Sequence, residues 1–80
     1  MDEYTRITYK IVVDAWHFFK THLPVRQDDA YWDDVVHGYS EIPQRYTGTQ
    51  YYDFALSVSM ACADELARVA KDEAKDEAND

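Results

Sequence analysis

The sequence predicts an all-α fold: a compact bundle of three main helices, with a short extra helix near residues 41–46. Three observations carry this. Apolar residues recur at steps of three and four along three long segments, the spacing of one helix face. No segment sustains the period-two alternation of a half-buried strand, and hairpin-type turn dipeptides are missing. The two prolines and two glycines fall where one periodic segment gives way to the next, as chain breakers do.

The first helix is expected from about Glu3 to His22. Ile7, Ile11, Ala15, Phe18 and Phe19 form its core stripe, with Val12 and Trp16 widening it. Asp2 and Glu3 suit a helix N-terminus, and Lys20 and His22 suit a C-terminus. Leu23-Pro24 ends the segment, because proline disfavours helical geometry in the residue before it.

Asp28 and Asp29 open the second helix as candidate N-caps. Tyr31, Trp32, Val35, Val36 and Tyr39 follow at helical spacing. Gly38 weakens a helix by about 1 kcal/mol relative to alanine and Pro43 removes a donor, so a break is expected between them. Ser40 would then cap the short extra helix, and Gly48 would close it after Tyr46.

Thr49 is the expected N-cap of the third helix, which should run to about Lys71 and fray beyond. Tyr51, Phe54, Ala55, Val58, Ala61, Cys62, Leu66 and Val69 trace its apolar stripe. Small residues such as Ala55, Ser59 and Ala63 allow close approach of another helix, against which Trp16, Phe18 and Phe19 would pack. Lys71-Asp72-Glu73-Ala74 repeats as Lys75-Asp76-Glu77-Ala78, with nothing larger than alanine to bury. The domain organisation is therefore one helical domain over residues 1–71 and an acidic, frayed or disordered tail over 72–80.

Eighty residues suffice for one small core. Sixteen acids against eight Lys and Arg leave a formal charge of -8, which repels nucleic acid and anionic lipid and favours a basic protein surface. Seven tyrosines and two tryptophans supply contact area at low entropic cost. The expected partner is thus a protein with a basic surface, with no direct nucleic acid and no membrane; the alternative is a self-associating structural or regulatory helical module, a homo-oligomer paired through the Ala- and Ser-rich third helix. The single cysteine, Cys62, excludes an intramolecular disulfide. No apolar run approaches ~20 residues, and acids stand where a signal peptide would carry cations, so a cytoplasmic location is expected.

Chemistry-bearing patterns are sparse. Asp29, Asp33 and His37 share one helical row, a spacing that suits a His-carboxylate metal pair, but a third ligand would have to come from His17, His22 or Glu41. Cys62 lies in an apolar stripe, where it acts as a small hydrophobe rather than a nucleophile. Gly-rich phosphate loops and nucleophile elbows are missing. A helix-turn-helix reading fails on charge, since the third helix is acidic where a recognition helix is basic. The chain is expected not to be an enzyme and to hold no cofactor; a metal-dependent enzyme is the further alternative. The candidate partner-binding residues are Asp28, Asp29, Asp33 and Asp34 for electrostatic steering, with Tyr31 or Trp32 as anchor. Asp29, Asp33 and His37 in one row, and Asp64, Asp72 and the tail acids near another, set groups about 6 Å apart from turn to turn, which also approximates successive phosphates of a strand.

Through Asp29-Ala30-Tyr31-Trp32-Asp33, preceded by Trp16-His17-Phe18-Phe19-Lys20 and followed by an Ala-rich helix with Asp64-Glu65-Leu66, the chain resembles small uncharacterised helical proteins of phages and mobile elements of Gram-positive bacteria. The resemblance spans about residues 11–71 and carries no established activity. It implies a genomic setting in which small acidic proteins include anti-CRISPR inhibitors and DNA mimics.

Overall fold

The computed structural model describes residues 2–79, with side chains as far as Ala74. Three helices make it: α1 (Glu3–Thr21), α2 (Asp29–Gln44) and α3 (Tyr52–Asn79), and there is no strand among the described residues. Each start has a local cause. Asp2 Oδ1 accepts the Thr5 N–H at 2.7 Å; this bond to the backbone of the first turn holds its carboxyl below the usual carboxylate range. Asp28 does the same for α2, accepting the Tyr31 N–H at 3.2 Å. Before α3, Thr49 Oγ1 accepts the Tyr51 N–H at 3.2 Å while the Tyr52 N–H bonds the Thr49 carbonyl at 3.3 Å. A turn at Thr49 therefore precedes the helix, which begins at Tyr52 rather than directly after Thr49.

The expected break in α2 does not occur. The helix is continuous through Gly38, and residues 41–44 are its last turn rather than a separate helix. Gly38 is retained for space: a Cβ there would lie 2.7 Å from two ring atoms of Phe18 on α1. Pro43 is buried one residue before the end, where the missing N–H costs a single bond, and the chain closes with Arg45 N–H to the Ile42 carbonyl and Tyr46 N–H to the Pro43 carbonyl. Ser40 is no cap; its hydroxyl donates to the Val36 carbonyl at 2.7 Å. Gly48, with φ +80°, supplies the left-handed turn after Tyr46.

Short connections make α1 and α2 antiparallel, and α3 then runs in the direction of α1. At one end the Tyr4 and Tyr51 rings stand 6.0 Å apart, and at the other Gln27 Nε2 donates to the Ala70 carbonyl at 3.1 Å. The core takes Ile11, Ala15 and Phe18 from α1, Val25 from the connection, Tyr31, Val35 and Ile42 from α2, Tyr51 just before α3, and Ala55, Leu66 and Ala70 from α3. Burial on α3 extends as far as Ala70 among the residues described, while its helical backbone continues to Asn79. The expectation of a frayed tail at 72–80 lies in part outside the described residues.

Two α1 residues depart from expectation. Val12 and Trp16 are 46% and 54% exposed, so the broad stripe is really two rows, and only one faces the core. Small residues of α3 are used within the bundle as expected, since Ala55 and Ser59 are fully buried, but Trp16 is not among the side chains that the core takes.

Ser59 is also the one described side chain whose buried polar atom, Oγ, lacks a hydrogen-bond partner. An unpaired buried hydroxyl carries its desolvation cost, about 1–3 kcal/mol, and alanine is the better helix former. Ser59→Ala is expected to stabilise the fold by about 1 kcal/mol, raising Tm by roughly 4–8 °C for a domain of this size. A lowered Tm in a thermal melt would show that the hydroxyl is satisfied, for instance by an internal water.

Candidate functional site

The first two turns of α2 gather all six predicted contact residues, because an N-cap aspartate followed by a helix places 28, 29, 31, 32, 33 and 34 within one short stretch. The structure gives them unlike roles. Asp28 is occupied twice, capping α2 and pairing with Arg26 (Nε to Oδ1, 3.0 Å). Asp34 pairs with His22, whose Nε2 lies 3.0 Å from Asp34 Oδ2 and whose Nδ1 lies 2.7 Å from the Phe18 carbonyl. The α2 carboxylate is thereby tied to the end of α1.

Tyr31 is 7% exposed and cannot serve as an anchor for a partner. Its hydroxyl donates to the His22 carbonyl at 2.8 Å, and its ring meets His22 edge-on at 5.8 Å. Burial pushes its phenol above the ordinary value, and the charge of Glu73 adds to this. Trp32 is half-buried, packed edge-on against Tyr31 at 4.8 Å. Asp29 and Asp33 are exposed, and among the described residues neither forms an ion pair or a side-chain hydrogen bond. Of the predicted set, then, Asp29, Asp33 and the rim of Trp32 face outward unengaged.

His37 continues the Asp29 and Asp33 row and is exposed. The proposed third ligands do not join it: His22 is held by Asp34, and Glu41 Oε1 pairs with Arg45 Nη2 at 3.1 Å. Among the described residues no three His, Cys, Asp or Glu side chains converge on one point. Cys62 is half-buried, and burial pushes its thiol up, away from thiolate character.

On α3 the acids are partly neutralised within the helix. Arg68 binds Glu65 and, at 2.7 Å, Asp72. The hydrogen bonds from Arg68 hold the Glu65 carboxyl below its ordinary range, and Glu65 in turn raises the guanidinium. The carboxylate row expected from Asp64 through Asp72 is thus interrupted by a cation, and the acids beyond Ala74 lie outside the described side chains.

An open groove of about 420 Å³ runs beside the start of α2, lined by His22, Pro24, Arg26, Asp28, Tyr31 and Asp34. Its charged side chains are the internally paired ones just described. The surface that sequence reasoning missed is on α1: Tyr9, Val12 and Trp16 are 67%, 46% and 54% exposed. Their spacing interleaves with the core row, and the sequence reading assigns Val12 and Trp16 to that stripe and leaves Tyr9 unplaced.

No family model, curated protein or solved structure matches the chain. Among the described residues no helix is long and apolar enough to cross a membrane.

Proposed function

We propose that the chain is a small acidic, non-enzymatic protein-binding module that docks the outer face of α2 on a basic surface of a partner protein. The supporting observation is the sorting of charge among the helices. α2 carries Asp29, Asp33, Asp34 and Glu41 and no Lys or Arg, whereas α1 carries Arg6, Lys10 and Lys20 against Glu3 and Asp14. Asp29 and Asp33 stand exposed beside the rim of Trp32, which suits electrostatic steering followed by aromatic contact.

In its finer form the partner surface is one that binds nucleic acid, and the module acts as a phage or mobile-element inhibitor of the anti-CRISPR kind. Internal pairing of Asp28 and Asp34 narrows the mimicking set to Asp29 and Asp33 on this helix. The double amide Asp29→Asn with Asp33→Asn is expected to weaken capture of a host partner about tenfold, or ~1.4 kcal/mol, with unchanged circular dichroism. Binding by the parent chain should fall steeply from dilute to physiological salt. Undiminished capture by the double amide would mean that these acids only solvate α2.

A further inference from the structure

His22 closes α1 with both ring nitrogens turned towards atoms that accept hydrogen bonds. Nδ1 lies 2.7 Å from the Phe18 carbonyl oxygen, and Nε2 lies 3.0 Å from Asp34 Oδ2 on α2. The Thr21 hydroxyl, 3.4 Å from Nδ1, already donates to the same Phe18 carbonyl at 3.0 Å, so it offers the ring only a lone pair. A neutral imidazole carries one proton, and only the imidazolium donates from both nitrogens. Because Nδ1 faces acceptors alone and makes the shorter contact, the neutral ring keeps its proton there. Nε2 then presents a bare lone pair to the Asp34 carboxylate, and two acceptors so placed repel.

From this we infer that His22 is a proton-controlled latch on Asp34. The cationic ring holds the carboxylate against the end of α1, and the neutral ring releases it to the acidic face of α2. Asp34 suits such a change: its side chain is 74% exposed against 12% for His22, so water readily takes up the freed carboxylate. Around the ring, Arg26 pairs with Asp28, and Arg45 with Asp14 and Glu41, so neither arginine takes the place of His22 on Asp34. His17 of α1 and Tyr31 of α2 share the two grooves that flank His22, and from α3 the charge of Glu73 reaches Tyr31.

The consequence for binding rests on the docking of α2 proposed above. Release adds a third free carboxylate beside Asp29 and Asp33, so docking on a basic surface strengthens as pH rises through the range in which histidines titrate.

His17→Gln with His37→Gln, both at exposed positions, leaves His22 as the one histidine of the full chain and isolates its titration. Nitrogen NMR of the imidazole and carbon NMR of the Asp34 carboxyl, followed from about pH 5 to about pH 8, test the latch. The expected result is a ring protonated on both nitrogens at the acid end and on Nδ1 alone at the other, with the Asp34 carboxyl resonance moving in step. A neutral ring that carries its proton on Nε2, or an Asp34 resonance indifferent to His22, would overturn the latch. Oligolysine, whose own charge is constant over this range, tests the consequence at fixed ionic strength. In the same background Asp34→Asn is expected to weaken its binding about two- to fivefold at the alkaline end and to change it little at the acid end. An equal loss at both ends would remove the regulation. No oligolysine binding at either pH would remove the docking of α2 instead, and the latch would stand or fall on the NMR titration alone.

Discussion

Leu66→Ala is expected to remove about 2–5 kcal/mol of stability, the range for truncating a fully buried leucine. Leu66 and Ile11 are the two large apolar side chains with no exposure at all, one from α3 and one from α1. The lost atoms forfeit transfer free energy, and the space they leave cannot close easily, because the chain is held on both sides of Leu66. Gln27 bonds the Ala70 carbonyl beyond Leu66, and Tyr51 packs on Tyr4 and Tyr46 at the other end. A chain of this length has a total stability of roughly 4–12 kcal/mol, so the variant is expected to be near its unfolding midpoint at moderate temperature. Urea denaturation should show a lower midpoint with the slope retained. A loss under about 1 kcal/mol would mean that α3 slides inward and fills the gap despite the contacts on either side of Leu66.

Gly38→Ala is expected to destabilise by about 1–3 kcal/mol, although alanine is the better helix former by about 1 kcal/mol. The added methyl would stand 2.7 Å from Cδ1 and Cε1 of Phe18. That ring is 8% exposed and lies 4.8 Å from the His22 ring, so it has little room to turn aside. The helices must separate instead, and the seam between α1 and α2 is the thinnest in the bundle. Two strands of evidence would agree: a lower Tm for Gly38→Ala, and partial recovery in a double variant with Phe18→Leu, giving a coupling of at least 0.5 kcal/mol in the cycle. A higher Tm for the single variant would show that propensity outweighs the close approach.

Much of the fold was legible from periodicity and capping. α1 and α2 start within a residue of where Asp2 and Asp28 place them, and the apolar rows of α2 and α3 contain most of the residues that become core. The failures have a common origin in tertiary contact. Gly38 and Pro43 read as breakers because propensity is local, yet at Gly38 the Phe18 ring of α1 takes the space a side chain would need, and Pro43 falls where one lost bond matters least. Val12 and Trp16 read as core because a single chain does not show where its neighbours stop, and α1 has more apolar surface than two neighbours cover.

The candidate site was legible only as a segment. Six residues from Asp28 to Asp34 were singled out by type; the capping role of Asp28 was legible, but type does not show that Asp28 also pairs with Arg26, Asp34 with His22, and Tyr31 with a carbonyl of the preceding loop. A carboxylate two residues after Arg26 and next to a helix start was a usable hint for Asp28. The partners of Asp34 and Tyr31 both lie at His22, which is distant enough in sequence that only the antiparallel packing of α1 and α2 brings it near.

The two tryptophans occupy unlike surroundings, and that difference makes the chain its own optical instrument. Trp16 stands 54% exposed on the outer row of α1, so its emission should be red-shifted and open to quenching by iodide or acrylamide. Trp32 is lodged against Tyr31 at the edge of the core, so its emission should shift only when that packing opens. With Trp32 replaced by phenylalanine the remaining indole watches the surface, and with Trp16 replaced it watches the interior. Unfolding and association, which a single mixed spectrum would superimpose, thereby acquire separate colours.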